Sequence, residues 1–377
     1  MVAVNKIAVV GSGVSGLAAA ILLARAGVQV EVYEAKPELS PLGSGISLQG
    51  NAIRVFDRLG VWPDVEAAGF AFDGLTLRAP GPDAPTVAEL PDVKTGGPDY
   101  PAAMGMYRPD LARILLGHAE RAGTVVRFGA KVTGLTSNPT TVALEVDGGI
   151  AGEYDLVVAA DGLNSTVRGL VGIEVTPIPT GMGIWRALVG RPPEVERTEL
   201  YYGGPMYIAG YTPIGADAMY AFLVEAAQDR FGVGEHEASR IMLEASRAYA
   251  GPWDSIRSDL EAGARVNYTW FTHHLVPAPW NRGRVVLIGD AAHSCPPTIA
   301  QGAAQGLEDA SVLAELLVAA DVLDGALWDQ FHRRRIARAA LVVEASTQLG
   351  QWQLDGVRDV DTGGLIFSVA RAMAEPA

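Results

Sequence analysis

The residues able to do chemistry in this chain sit in three glycine-bearing segments. The first is Gly11-Ser12-Gly13-Val14-Ser15-Gly16. In that spacing Gly11 allows a tight turn, and Gly13 lets the backbone approach a pyrophosphate. Gly16 lets a helix pack closely on a strand. Glu34 follows 18 residues after Gly16, where an acid accepts hydrogen bonds from ribose hydroxyls. The second segment is Asp161-Gly162 and the third is Gly289-Asp290, with Pro296-Pro297 and Gln301-Gly302 beyond it. The chemistry these imply is the binding of a dinucleotide.

The elements that must hold these residues are legible around them. Ile7-Ala8-Val9-Val10 is an apolar run of the length of one buried parallel strand. The span 17–26 reads as a helix closed by Gly27, and 28–33 as a second strand ending at Glu34. Leu156 to Ala160 and Val285 to Ile288 are two more apolar strands, so Asp161 and Asp290 fall at carboxyl ends, where ligand crevices lie. A helix over 307–320 offers free N–H groups and positive dipole at its start.

Taken together, the three segments resemble the FAD-dependent aromatic hydroxylases, flavoprotein monooxygenases with the para-hydroxybenzoate hydroxylase fold. The Tyr107-Arg108-Pro109-Asp110-Leu111 stretch and Gly43-Ser44-Gly45-Ile46 match the family as well. The resemblance spans most of residues 4–345. It implies an α/β fold: a Rossmann-like FAD-binding domain of the glutathione-reductase type, an inserted antiparallel-sheet substrate domain, and C-terminal helices. It implies FAD as cofactor, with NADH or NADPH as co-substrate. The first segment (Gly11, Ser12, Gly13, Val14, Ser15, Gly16, then Glu34, Ala35 and Lys36) holds the ADP half, with Val132 nearby. Asp161 contacts FAD and the nicotinamide donor. Gly289 and Asp290 hold ribitol and pyrophosphate, joined by Pro297, Gly302, Ala303 and Ala304. Arg108 contacts the flavin or its pyrophosphate, and Gly45 and Ile46 lie beside the isoalloxazine ring. His293 recurs in the family's motif as a positioning residue. Where the family often has Gly-x-Gly-x-Asn, this chain has Ala300-Gln301-Gly302-Ala303-Ala304.

Bulk properties narrow the class. The 377 residues are 49% hydrophobic, enough for a full core in two domains. The expected partition is 1–74, 97–175 and 276–345 for the cofactor domain, 75–96 and 176–275 for the substrate sheet, and 346–377 for a helical segment. A formal net charge of −14 argues against nucleic acid and anionic membrane surfaces. No run reaches the roughly 18 apolar residues of a membrane span, and no cleavable leader is evident, so a soluble cytoplasmic protein is expected; monomer or homodimer is the expected state of assembly. Cys295 is the only cysteine, which excludes a C-x-x-C redox pair, and it reads as a small buried residue. No metal cluster is convincing. A single G-x-G-x-x-G leaves no second Rossmann domain for the nicotinamide. Arg333-Arg334-Arg335 reads as a solvated helix face.

Within 176–275 strand-like segments alternate with Gly and Pro, and aromatic residues gather. The expected helices are 51–59, 110–122 and 235–250, and the expected hairpin runs from 125–136 into 141–146. Tyr220 matches a sheet position where several family members place a substrate-facing tyrosine. Trp185, Arg186 and Tyr211 are its neighbours by fold, and Gln49 and Pro296 lie close to the flavin segments. The implied reaction is ring hydroxylation through a flavin C4a-hydroperoxide. The scarcity of a clear basic residue in the sheet points to a neutral or weakly anionic ring, phenolic or N-heteroaromatic. An epoxidase acting on an apolar substrate and a non-catalytic flavin-binding sensor or partner protein are the alternatives. A related halogenase would carry W-x-W-x-I-P, which this sequence lacks.

Overall fold

The computed structural model describes residues 2–40, 43–357 and 359–377. A six-stranded sheet forms the first layer, in the order Asn281–Arg282, Val285–Leu287, Leu156–Ala159, Lys6–Val10, Gln29–Glu34, Val125–Phe128. All neighbours run parallel except the Asn281–Arg282 edge. Ile7, Ala8 and Val9 are fully buried, as an apolar run without alternation requires when both faces of a strand are covered. Helices Val14–Arg25 and Gly302–Ala319 contribute Leu17, Ile21, Leu307 and Leu313 to the same core.

The second sheet has eight strands, in the order His293–Ser294, Val266–Leu275, Ile178–Gly190, Ala218–Ala226, Ile208–Pro213, Thr198–Tyr201, Leu75–Arg78, Thr86–Leu90. Segments 75–78 and 86–90 are antiparallel to each other, yet the first joins this sheet by pairing parallel to Thr198–Tyr201. One face is covered by helices Glu235–Ala245 and Trp253–Glu261, through Met242, Trp253 and Ile256. The other face carries Ile184, Ile208, Val224 and Phe271. It meets a small sheet of Gly45–Gln49, Ala103–Tyr107 and Phe70–Phe72. The contact is close: a Cβ on Gly105 would run into Pro213 O and reach Thr212 Cγ2 at 3.0 Å.

Two local expectations need correction. The span 125–136 is not one hairpin arm. Val125–Phe128 pairs parallel to Gln29–Glu34, the chain turns at Gly129 with φ +68°, and Val132–Ser137 starts a separate antiparallel meander. The chain also has no break at 345, because helix Gly325–Leu354 runs straight through it before helix Thr362–Ala374.

Candidate active site

The glycine turn is shaped for a ligand that approaches the backbone. Gly11 has φ +101°, and a Cβ there would strike Ala160 O; a Cβ on Gly16 would strike Gly11 O. Gly13 differs, because nothing lies within 4 Å of its Cβ position. That open space lies at the head of helix Val14–Arg25, whose first N–H groups have no side-chain cap. It continues into a cleft of about 310 Å³ lined by Gly13, Glu34, Ala35, Lys36, Val132 and Asp161, among others. Glu34 accepts hydrogen bonds from Ser12 N at 2.9 Å, Ser12 Oγ at 2.8 Å and Lys36 N at 2.9 Å. Burial pushes its pKa up, but these donors outweigh burial and hold the carboxyl below its usual value.

Asp161 closes the cleft from the next strand. It accepts from Ser165 Oγ at 2.5 Å and Val167 N at 3.0 Å, which pins the loop after the strand to helix Thr166–Leu170. Arg168 in that helix is buried. It donates to Leu163 O, Val175 O and Ala291 O at 2.9, 3.1 and 2.9 Å, and so ties the Asp161 loop to the Gly289–Asp290 turn. The sequence reading passed over Ser165 and Arg168. Their signal was a helix-capping serine three residues before an arginine, directly after a strand end.

At the third segment Gly289 has φ +58°, and its missing Cβ leaves room for Ser15 Oγ, which also fills the space beside Gly306. Asp290 keeps an exposed side chain although protein crowds around it. That desolvation raises its pKa, with His293 and Arg108 working in the opposite direction. Helix Gly302–Ala319 begins earlier than its apolar pattern suggests. Its capping residue Gln301 gives no side-chain cap, and the first helical bond is Gln305 N to Gln301 O, so the N–H groups of Gly302, Ala303 and Ala304 find no partner within the helix. Before it, Pro296 is buried and Pro297 exposed.

Arg108 stands exposed at the start of helix Arg108–Arg121, with its amide on Ser44 O at 3.3 Å. Gly45–Gln49 brings Gly45, half-buried Ile46 and half-buried Gln49 alongside. Tyr220 packs its ring on Gly45 and joins its hydroxyl to Ser47 Oγ at 2.9 Å. Arg186 is on the same sheet face, with its strand partner Phe222 beside Tyr220. Trp185 and Tyr211 are not. Both are buried on the helix-covered face, where Trp185 donates to Glu225 Oε1 at 3.0 Å and Tyr211 donates to Glu199. The reason is the two-residue period of a strand: 185 and 186 point to opposite faces, as do 211 and its neighbour Thr212. The expectation that Trp185 and Tyr211 line the substrate site is therefore corrected.

These features fit a dinucleotide, with a glycine cradle, a ribose-side acid and two uncapped helix starts. Comparison with known proteins decides which kind. The FAD binding domain family matches residues 5–346. The chain belongs to that family. It is 31% identical to the aurachin C monooxygenase/isomerase of Stigmatella aurantiaca, over 92% of this chain and 89% of that one. It is 33% identical to a 3-amino-4-hydroxybenzoate 2-monooxygenase of Streptomyces platensis, over 92% and 87%. In fold it matches HpxO of Klebsiella pneumoniae complexed with FAD and uric acid, with a TM-score of 0.79 at 22% identity over 98% and 92% of the two chains. The chain is an FAD-dependent monooxygenase.

In this FAD-dependent monooxygenase one sequence expectation fails in an informative way. Arg335 is not on a solvated face: it is fully buried and bonded to Glu308 at 2.8 Å and Asp309 at 2.7 Å. Its neighbour Arg334 does reach a partly exposed acid, Glu315. His293 bonds Asp309 Oδ2 at 2.7 Å, in keeping with a positioning role. Cys295 is half-buried, and its thiol pKa is pushed up to about 12, by burial first and by Asp290 second. No group of metal-binding side chains occurs among the described residues, and none of their helices is long and apolar enough to cross a membrane.

Proposed function

We propose that this enzyme hydroxylates a small aromatic ring that carries an acidic group, using NADH or NADPH and O₂. FAD, when bound, supplies the redox chemistry, taking electrons from the nicotinamide and passing one oxygen atom to the ring. The chain's own residues bind, orient and exclude water. Glu34, Ala35, Lys36, Val132 and the Gly11–Gly16 turn are assigned the adenosine and pyrophosphate half. Asp161, Arg108, Asp290, Pro297 and the N–H groups at Gly302–Ala304 are assigned the rest, with Gly45 and Ile46 along the ring. The free N–H groups at Gly302–Ala304 would favour the negative charge that FAD carries when reduced.

The observation that carries the substrate class is Arg186. It shares a sheet face with Ile184, Phe222 and Val224 and lies within electrostatic reach of Tyr220 and Arg108. Its recorded hydrogen bond is from Nη1 to Thr269 Oγ1 at 2.9 Å, and no carboxylate among the described residues pairs with it. Burial lowers its pKa to about 10, with Arg108 adding to that and Tyr220 opposing, so it stays charged at neutral pH. A cation held in a mostly apolar surface without an acid calls for an anion from the ligand. Arg186 thus favours a ring bearing an acid over the neutral or weakly anionic ring expected from the sequence. The relative named above as a 3-amino-4-hydroxybenzoate 2-monooxygenase supports it. Tyr220, Gln49 and Pro296 complete the proposed substrate surface.

The test is flavin reduction by NADH and by NADPH in rapid mixing, with hydroxylated benzoates and pyridine carboxylates paired with their methyl esters. The acid is expected to accelerate reduction and to gain one atom from ¹⁸O₂, and Arg186→Gln to raise KM for the acid alone. Equal turnover of acid and ester would remove the anionic requirement. Reduction indifferent to every ring, with no oxygenated product, would sink aromatic hydroxylation.

A further inference from the structure

One charged cluster lies wholly beneath the cofactor surface. Arg335, from the middle of helix Gly325–Leu354, has no solvent exposure, and neither does Asp309; Glu308 is 1% exposed. The guanidinium donates Nε to Asp309 Oδ1 at 2.7 Å and Nη1 to Glu308 Oε2 at 2.8 Å. Its Nη2 donates to Gln305 O at 3.1 Å and to Gln305 Oε1 at 2.8 Å. One planar fork thus holds three residues, Gln305, Glu308 and Asp309, on the first turns of helix Gly302–Ala319.

Each acid then reaches a different part of the cofactor surface. Asp309 Oδ2 accepts the Gly289 amide at 2.8 Å and His293 Nε2 at 2.7 Å, so it grips the turn that presents Asp290. Glu308 Oε1 accepts Asn51 Nδ2 at 2.9 Å. Asn51 forms a reciprocal amide pair with Gln301, at 3.0 and 3.1 Å, and Gln301 is the residue that opens the helix. Arg338 adds a second cation on Glu308, at 2.7 and 2.8 Å. Asp309 therefore receives three donors, all needing an ionised carboxylate. An amide in its place would set an N–H against another donor.

We propose that Arg335 is a positioning residue for FAD, fixing the Gly289–Asp290 turn through Asp309 and the N-terminal turn of helix Gly302–Ala319 through Glu308 and Gln305. It touches no cofactor atom itself. It sets two separate cofactor contacts to one common reference, a helix that also reaches the substrate sheet through Leu354 and Met182. Buried ion clusters often serve only as core glue, and removing one partner then lowers stability without a specific effect on the ligand. The experiment must separate these two roles.

Asp309→Asn and Glu308→Gln keep side-chain volume, and Arg335→Lys keeps charge while losing the fork. For each holoenzyme, flavin release on dilution, the flavin midpoint potential and the melting temperature would be measured. Both acid variants are expected to weaken FAD binding on the order of ten- to a hundredfold. They are also expected to make the midpoint potential more negative, because the helix N–H groups no longer align with the reduced flavin. Arg335→Lys should shift both in the same direction. Should Arg335→Lys fail to fold, the two acid variants decide alone. A lower melting temperature with flavin release and potential unchanged in both acid variants would overturn the proposal and leave the cluster as core glue.

Discussion

The ring of Tyr220 lies directly on the backbone of Gly45, and its hydroxyl meets Ser47 Oγ at 2.9 Å. Any Cβ on Gly45 would run into Tyr220 Cδ1, so the eight-stranded sheet and strand Gly45–Gln49 fit together only because residue 45 has no side chain. Gly45→Ala is expected to displace Tyr220 and lower product formation while leaving the adenosine half of FAD bound. Tyr220→Phe removes one hydroxyl contact and should cost about 1 kcal/mol, roughly fivefold in hydroxylation rate. Coupling of NAD(P)H consumption to product reads both. Unchanged coupling in Tyr220→Phe would make that tyrosine a packing residue.

Gly11 and Gly13 should respond to alanine in opposite ways. Gly11→Ala meets Ala160 O and forces a residue with a side chain to φ +101°, which costs roughly 1–3 kcal/mol in backbone strain before the clash. The melting temperature should fall, with or without FAD. Gly13 has φ −73° and open space at its Cβ position, so Gly13→Ala should melt like the wild type without cofactor. The added methyl would occupy the open space assigned above to the pyrophosphate, and flavin content after purification should drop. Full flavin in Gly13→Ala would move the pyrophosphate elsewhere.

Acid should destabilise the fold through His274. This buried ring takes a bond from Arg168 Nη1 at 3.4 Å and pairs through Nδ1 with Ser294 Oγ at 2.8 Å. Burial lowers its pKa from 6.5 to about 4, and the charges of Arg168 and His293 add to the effect. The folded ring is neutral where the unfolded one takes a proton. Its support is therefore intact above pH 6.5 and is lost as pH falls from 6.5 towards 4. Melting temperature against pH should be flatter across that window in His274→Gln than in the wild type. Parallel curves would assign the acid sensitivity to another group.

Tyr211→Phe should separate stability from chemistry. The hydroxyl donates to Glu199, a buried acid also paired with Arg78, and it stands by Tyr201 at 3.2 Å. Losing one donor to a buried carboxylate should cost about 1–3 kcal/mol of stability. Because Tyr211 is buried on the helix-covered face, opposite Tyr220, kcat/KM measured well below the melting temperature should stay unchanged. A large fall in kcat/KM with no change in melting temperature would return Tyr211 to the substrate side.

What the sequence determined by itself was local. The turn at Gly11–Gly16, the acid at Glu34 and the two Asp-bearing strand ends are each set by a few adjacent residues. Backbone sterics and helix-end hydrogen bonding act over that same range, so these features could be read directly and the FAD-binding family with them. Tertiary structure alone decided which face each strand residue presents. Arg186 and Trp185 are adjacent in the chain, yet one shares a face with Tyr220 and the other is buried under helices, because only sheet pairing and helix cover choose between the two faces of a period-two element. It also decided the fate of Arg335. Three consecutive arginines look alike in sequence, but a helix turns 100° per residue, so Arg335 reaches the buried pair Glu308 and Asp309 while Arg334 reaches the more exposed Glu315 of the same helix.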